Sequence, residues 1–186
     1  MVDFLRNLFI SGLNKWRWIM QRTGFALLSI LVVLGSLGFA QAQIPKEGAS
    51  SYIIGYSGTY KAVAMGQERI QMTYEVLGVI VSDSSECILQ NASLRCVGSF
   101  HATKGAYEDD RGFCVCTRPD GDQLFTSYEA SGRLGAVGKG TVTYVGGTGK
   151  FAGIQGSGEF TRINVRPAAE GTLQGYNRVK EHYKLP

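Results

Sequence analysis

The stretch Gly140–Phe160 constrains the fold of this chain more than any other, because it concentrates glycine between two segments of strand character. Thr141–Val145 alternates as a β-strand does, and a second strand begins at Gly156. Glycine at this density supplies backbone positions with positive φ or with close chain approach. The stretch therefore predicts a tight corner between two strands. Its structural glycines are Gly146, Gly147, Gly149, Gly153 and Gly156.

The chain beyond residue 50 repeats short strand-like segments separated by turn signals. In Arg69–Val81, apolar side chains fall on alternate positions, which is the period of a half-buried strand. About eight such segments follow one another at the spacing typical of a sandwich or barrel. Helix is disfavoured because 21 of residues 43–186 are glycine, about twice the usual share. Gly171–Tyr183 suits lipid on neither face, which excludes an outer-membrane barrel. We expect an all-β fold, a single antiparallel eight-stranded β-barrel.

The first 42 residues have the pattern of a secretory signal peptide. Basic side chains precede an apolar run, residues 24–39, and Ala40-Gln41-Ala42 fits an A-x-A cleavage site. We expect a signal-peptide helix over 1–42, a flexible leader over 43–50 and the barrel domain over 51–186. A transmembrane anchor is the alternative, although the run is shorter than the roughly 20 apolar residues of a bilayer span. Met20 is an alternative translation start. The pattern predicts a periplasmic or secreted protein without stable membrane insertion after cleavage.

The net charge of the chain is concentrated in that presequence. The whole chain has a formal charge of +4, from 19 basic and 15 acidic residues, and the first 42 residues contribute +3 of it, from four basic residues and one acidic residue. The mature domain is therefore only +1. This balance does not favour nucleic acid or an anionic membrane surface as a partner.

All four cysteines follow residue 42, in the exported part of the chain, where disulfides persist. Cys114 and Cys116 are two residues apart on one strand face, near the limit of disulfide geometry, so cross-strand pairing is favoured. We expect Cys96 to pair with one of them, and Cys87 to pair with the other or to be free. The three connectivities of four cysteines stay open. A metal site is disfavoured, because neither C-x-x-C nor nearby histidine spacing is present.

Several motifs that suggest chemistry are better explained as turns. Gly149-Lys150 is not a phosphate-binding loop, because Tyr144 and Phe151 stand where that loop needs glycine and Ser or Thr. Asp120-Gly121-Asp122 offers only two carboxylates for a cation and is typical of a hairpin turn. The chain has two histidines and no G-x-S-x-G elbow, which disfavours a hydrolytic triad. No cofactor and no metal are expected.

Three ionisable residues are candidates for a ligand site, because a binding lumen usually combines apolar walls with a few polar groups. Glu75 lies opposite the apolar stripe of its strand, and His101 follows Phe100. Arg162 shares a strand face with Phe160. Any of the three that points inward would have a perturbed pKa, and surface exposure is the alternative for each.

Three motifs in a fixed order give the chain a family likeness. They are Gly112-Phe113-Cys114, Pro119-Asp120-Gly121-Asp122 and the run G-G-T-G-K-F-A-G-I-Q-G that begins at Gly146. In these motifs the chain resembles bacterial exported proteins of the allene-oxide-cyclase barrel-like group, which are similar to plant allene oxide cyclases and dirigent proteins. The resemblance implies an eight-stranded antiparallel barrel, a lumen for a small apolar molecule and, as in plant relatives, a homo-oligomer. It carries over no catalytic residue.

Three functional hypotheses follow. The favoured one is a non-catalytic binding or structural module for a small apolar ligand. The second is a cyclase or dirigent-like enzyme that guides a hydrophobic intermediate, which requires at least one inward acid or base in a cavity large enough for a ligand. The third is a protein-interaction module that uses tyrosine-rich outer faces.

Overall fold

The computed structural model describes residues 44–186, which form a closed barrel of eight antiparallel strands. Each strand pairs with the next along the chain, and the last pairs with the first. The expected all-β, eight-stranded antiparallel barrel is confirmed, and the predicted presequence lies outside the described residues. The strands are β1 (Glu47–Ala64), β2 (Arg69–Val81), β3 (Ser93–Thr103), β4 (Ala106–Thr117), β5 (Gln123–Arg133), β6 (Gly138–Gly147), β7 (Gln155–Asn164) and β8 (Thr172–Lys184). None of residues 44–186 belongs to a helix long and apolar enough to cross a membrane.

The two ends of the barrel differ. Loops 65–68, 104–105, 134–137 and 165–171 meet at one end, which we call the mouth. Loops 82–92, 118–122 and 148–154 meet at the other, which we call the closed end. The closed end is filled by apolar side chains that are at most 1% exposed, including Leu89, Leu124 and Phe151. Because the core lies within one closed barrel, we expect residues 44–186 to fold without the rest of the chain.

Inward-facing glycines make room for tyrosine rings from neighbouring strands. Gly98 and Gly112 are paired across β3 and β4. A Cβ atom at either position would stand 2.2 or 2.3 Å from the hydroxyl oxygen of Tyr128, too close for any real contact. In the same way, a Cβ at Gly175 would stand 2.6 Å from the hydroxyl oxygen of Tyr56. Much of the high glycine content therefore allows aromatic side chains to fill the lumen.

The glycine corner joins β6 to β7 through a short 3₁₀ turn, Gly149–Phe151. Gly149 and Gly153 have φ of +52° and +75°, which glycine adopts without strain. Gly146 also has positive φ, whereas Gly147 and Gly156 serve close approach: their Cβ atoms would lie 2.5 Å from Phe151 and 2.8 Å from the ring of Tyr144. The turn places Phe151 in the core of the closed end.

Two segments predicted as irregular are strand. The leader expected over 43–50 contributes residues 47–50 to β1, where Glu47 pairs with Lys184 and Ser50 with Glu181. The small side chains of this segment permit the pairing, since Gly48 packs directly on the ring of Tyr183. The charged segment 104–111, whose composition is typical of a loop, likewise forms a tight turn and the first half of β4.

Candidate functional site

The barrel encloses a cavity of about 290 Å³ that extends from the mouth loops down to Tyr52 and Cys116. Its volume is near the lower end of the roughly 300–1,000 Å³ range of small-molecule sites. The wall is mainly apolar, and the polar groups in it include Tyr74, Tyr128 and Arg162. A larger depression of about 1250 Å³ runs over the outer faces of β5–β8 and β1. That depression is open to solvent and lined by charged side chains, so the lumen is the better site for an apolar ligand.

A β-bulge in β4 brings an aspartate into the wall of the barrel. The register with β5 shifts between Tyr107 and Asp110, and both of these side chains are buried while Glu108 is exposed. A strand without the extra residue would place one of the two outside, because successive side chains alternate between faces. The bulge therefore directs Asp110 inward, where it is 0% exposed.

Asp110 anchors a hydrogen-bonded cluster of side chains from four strands. The Tyr74 hydroxyl donates to Asp110 Oδ1 at 2.5 Å, and the Tyr74 and Tyr128 hydroxyl oxygens are 2.5 Å apart. Arg162 Nη1 donates to Asp110 Oδ2 and forms an ion pair with it. The guanidinium carbon of Arg162 is 5.6 Å from the ring centre of Phe160, within cation–π range. Asp110 lies behind the cavity wall and orients the three side chains that face the cavity.

The ionisation of this cluster follows from burial and from the Asp110–Arg162 pair. Burial, reinforced by the neighbouring Tyr128 and the Asp110 carboxylate, raises the pKa of Tyr74. Burial and Asp110 raise the pKa of Tyr128 to about 12. Burial disfavours the charged form of Arg162, but the Asp110 carboxylate together with Tyr74 and Tyr56 outweighs burial and raises the pKa of the guanidinium. At neutral pH the cavity wall therefore contains two neutral hydroxyls and one guanidinium whose charge is compensated by Asp110.

A second carboxyl group, Glu181, lies below the cavity toward the closed end. It is 5% exposed, and its Oε2 accepts a hydrogen bond from the Tyr52 hydroxyl at 2.5 Å. Burial raises the pKa of Glu181 to about 7, although the nearby hydroxyls of Tyr144 and Tyr52 oppose the shift. Burial and the Glu181 charge likewise raise the pKa of Cys116, to about 12. Glu181 is thus the lumen carboxyl group that changes charge near neutrality.

The surroundings of Glu181 include buried polar atoms without a hydrogen-bond partner among residues 44–186. They are Glu181 Oε1, Ser50 Oγ and the Tyr144 hydroxyl; Asn177 Oδ1, in the cavity wall, is a fourth. The Tyr144 hydroxyl is near Glu181 but lacks the geometry of a hydrogen bond to it. Buried polar groups usually find a partner, often an ordered water. This region is therefore polar enough to hold water below the cavity.

The structure separates the three candidate ligand residues. Arg162 faces the lumen and belongs to the Asp110 cluster. Glu75 and His101 lie on the outer face of the barrel: Glu75 Oε1 is 2.6 Å from Arg95 Nε, and His101 Nδ1 is 2.6 Å from Asp109 Oδ2. Neither outer residue lines the cavity. Regular alternation along β2 and β3 explains this, since Tyr74 and Phe100 take the inward positions next to them.

The cysteines pair across strands as expected. Cys96 on β3 and Cys114 on β4 are register partners and form a disulfide. The disulfide partner of Cys96 is therefore Cys114 and not Cys116, because Cys114 lies directly opposite Cys96 across the two strands. Cys87 and Cys116 are free thiols buried toward the closed end.

The two aspartates of the Asp120-Gly121-Asp122 hairpin hold the glycine corner in place. Lys150 Nζ is 2.8 Å from Asp120 Oδ2, and hydrogen bonding to this ammonium lowers the pKa of Asp120 to about 2. The backbone amide of Lys150 donates to Asp122 Oδ2 at 3.1 Å. Among residues 44–186, no three His, Cys, Asp or Glu side chains are grouped as a metal site would require.

The other residues on which the lumen site depends were not predicted from the sequence. Glu181 carried a readable signal, since it alternates with Val179 and Tyr183 on the apolar face of β8. Asp110 carried none, because the bulge that turns it inward cannot be distinguished within the charged run Glu108-Asp109-Asp110. Tyr74 was assigned to an apolar stripe, and its hydroxyl acquires a role only through Asp110 on another strand.

The fold and site together define a closed antiparallel β-barrel with an internal cavity. No protein-family model matches the chain, and no curated protein matches it. Among solved structures, the chain is similar to a pterocarpan synthase dirigent protein, with 11% sequence identity and a TM-score of 0.42 over 81% of this chain and 97% of that one. A likeness at this distance supports no functional statement, so the function is argued from the lumen.

Proposed function

We propose that this protein is an exported barrel that binds one small, largely apolar molecule in its lumen without changing it chemically. The observation that carries the proposal is the lumen cavity of about 290 Å³, with an apolar wall and one preorganised polar cluster. Export is the expectation of the signal-peptide pattern, and the Cys96–Cys114 disulfide is typical of proteins in oxidising compartments. Membership of the allene-oxide-cyclase barrel-like group, which the sequence resemblance implies, belongs to the same proposal.

The polar cluster indicates which chemical group the ligand would present. Arg162 offers N–H donors to the cavity, and Asp110 already compensates its charge. Because the Tyr74 hydroxyl donates to Asp110, the Tyr128 hydroxyl donates to Tyr74 and offers a ligand only an acceptor lone pair. A neutral acceptor oxygen suits this arrangement better than a carboxylate, which would leave an uncompensated negative charge in the barrel. We therefore expect an apolar body that carries a carbonyl, hydroxyl or ether oxygen.

Native mass spectrometry of protein purified from its host tests the binding function. We expect an additional mass of one small molecule on the wild type. Val142→Phe, which adds bulk to the cavity wall, should release it. The matched variant Val97→Phe, on the outer face where Val97 is 51% exposed, should retain it. The proposal fails if the wild type has no bound molecule, or if both variants retain it equally.

A second candidate function is acid–base isomerisation of that molecule, and the inward Asp110 cluster favours it. The enzyme hypothesis required an inward acid or base, and the lumen contains Asp110 hydrogen-bonded to Tyr74, with Tyr128 next to it. Because both hydroxyls donate toward the Asp110 carboxylate, this hydrogen-bonded chain is suited to accepting a proton from a substrate, while Arg162 donates a hydrogen bond to a substrate oxygen.

Incubation of the released molecule with fresh protein separates the two functions. A new chromatographic peak of unchanged mass, formed by the wild type and lost in Tyr128→Phe, would establish isomerisation. Recovery of the molecule unaltered would leave binding as the function.

A further inference from the structure

Exposed apolar side chains gather at the mouth of the barrel and not at the closed end. Each end consists of its loops together with the two adjoining residues of every strand. The mouth has five large apolar side chains that are exposed, whereas the closed end has one, Val81. The five are Val63 (65% exposed), Met65 (46%), Leu134 (42%), Val137 (59%) and Val165 (46%).

The two ends also differ in charge, with the adjoining chain termini counted at the closed end. The mouth contains five basic and two acidic side chains, a net charge of +3, whereas the closed end and the adjoining termini contain four basic and five acidic ones, a net charge of −1. Within residues 44–186, none of the basic side chains at the mouth is in an ion pair. At the closed end, Arg118 and Lys150 are both paired with Asp120. The basic side chains at the mouth are Arg69, Lys104, Arg133, Lys139 and Arg166.

This combination fits a lipid surface better than a second copy of the chain. Apolar side chains that enter the headgroup region, with basic side chains beside them, are what binds proteins to anionic bilayers. Two copies meeting mouth to mouth would bring like charges together, which opposes association. The apolar rim is also continuous with the cavity, since Leu134 and Val165 are exposed and line it as well.

We propose that the mouth of the barrel docks on the surface of an anionic phospholipid bilayer. Val63, Met65, Leu134, Val137 and Val165 enter the headgroup region, and the basic side chains around them contact lipid phosphates. The inference depends on the mouth alone and does not require the proposed lumen function. Where both hold, an apolar ligand passes between bilayer and lumen without crossing water.

A single tryptophan tests the insertion of the rim. Both tryptophans of the chain, Trp16 and Trp18, precede residue 43, so residues 43–186 contain none. Val137→Trp at the mouth and Val81→Trp at the closed end are matched reporters on exposed valines. With vesicles of mixed phosphatidylcholine and phosphatidylglycerol, we expect the emission of Val137→Trp to shift to shorter wavelength and to be quenched by brominated acyl chains. The emission of Val81→Trp should not change. Equal responses of the two, or no response of Val137→Trp, would overturn the proposal.

Charge reversal tests whether the basic side chains at the mouth contribute to binding. Lys104→Glu with Arg166→Glu should lower partitioning onto the mixed vesicles at least about 30-fold, since each basic side chain contributes attraction to an anionic surface. Lys46→Glu with Lys184→Glu makes the same change in net charge at the other end and should lower it much less. Added salt should weaken wild-type binding. Circular dichroism establishes that the variants are folded.

Three results would overturn the docking proposal. The first is wild-type binding to phosphatidylcholine alone as strong as to the mixed vesicles. The second is an equal loss of binding in the two double variants. The third is a dimer in solution that Val137→Ser dissociates, which would assign the apolar rim to self-association instead.

Discussion

The two carboxyl groups of the lumen, Asp110 and Glu181, are both buried but differ in the partners that stabilise a negative charge on them. Asp110 has Arg162 and a tyrosine hydroxyl as partners, one on each oxygen. Within the barrel domain that the structure describes, Glu181 has one tyrosine donor on Oε2, no basic partner and an unpaired Oε1. The first therefore forms an ion pair with Arg162 inside the barrel. Burial instead raises the pKa of the second, Glu181, to about 7.

This difference shows that burial alone does not determine what a lumen carboxyl group does. An ion pair with satisfied hydrogen bonds can present fixed donors to a ligand over a wide pH range. A lone buried acid is instead a source of pH dependence, because its ionisation must be stabilised by the protein or avoided. We therefore assign ligand anchoring to the Asp110 cluster and pH sensitivity to Glu181.

The largest predicted effect comes from breaking the ion pair. Arg162→Met should lower the free energy of unfolding by about 3–5 kcal/mol, because it leaves the Asp110 carboxylate buried without a counter-charge. Combining it with Asp110→Asn should restore much of that loss, and urea denaturation of the single and double variants measures the coupling. Arg95→Met, which breaks an outer pair whose side chains are 67% and 45% exposed, should cost at most about 1 kcal/mol. Equal losses of unfolding free energy in Arg162→Met and Arg95→Met would contradict the assignment of Asp110–Arg162 as a buried, mutually dependent ion pair.

The next effect is the pH dependence that Glu181 introduces. Because burial raises the pKa of this acid to about 7 in the folded protein, the native state holds the proton more tightly than the unfolded chain does. The stabilisation is complete below the unfolded pKa and is lost as pH rises through about 7. Between pH 5 and pH 8, we expect the wild type to lose roughly 2.5 kcal/mol relative to Glu181→Gln.

Urea denaturation of both proteins across this pH range measures that loss. Glu170→Gln, at an exposed loop position, serves as the control and should behave as the wild type does. Parallel stability curves for the wild type and Glu181→Gln would show that Glu181 has an ordinary pKa.

The smallest predicted effect compares the tyrosine donors of the two carboxyl groups. Tyr74→Phe removes a hydrogen bond to the paired Asp110 carboxylate and should cost about 1.5–3 kcal/mol, as bonds to charged groups do. At pH 5, Tyr52→Phe removes a bond to the neutral Glu181 and should cost only about 1 kcal/mol. Near pH 8 the cost of Tyr52→Phe should rise toward that of Tyr74→Phe, since Glu181 is then ionised. Unfolding free energies at both pH values test this, and a pH-independent cost of Tyr52→Phe would refute it.

Several parts of the fold were predictable because they depend on residues close in sequence. The bounds of β2 follow from its alternation, and the corner after β6 follows from its glycines. Cross-strand pairing of Cys96 was favoured because Cys114 and Cys116, two residues apart on one strand face, are near the limit of disulfide geometry for pairing with each other. Each of these features is set by the local geometry of a strand or turn, which sequence spacing expresses directly.

The candidate site was not predictable in the same way. Its members, Tyr74, Asp110, Tyr128 and Arg162, lie on β2, β4, β5 and β7, and only closure of the barrel brings them together. Arg162 alone could be suggested from its strand face. The unequal charge of the two ends was hidden for a related reason: the near-neutral total conceals a mouth of +3, which appears only when alternate hairpin loops meet at one end.

The sequence by itself determined the all-β class, the number of strands and the glycine corner. Alternation, glycine spacing and turn residues act over a few positions, so they can be read along the chain. Only the tertiary structure decided which polar side chains the lumen contains and how they are charged. A buried carboxyl group takes its ionisation from neighbours on other strands, and those neighbours are fixed by register, by a single β-bulge and by the pairing of β8 with β1.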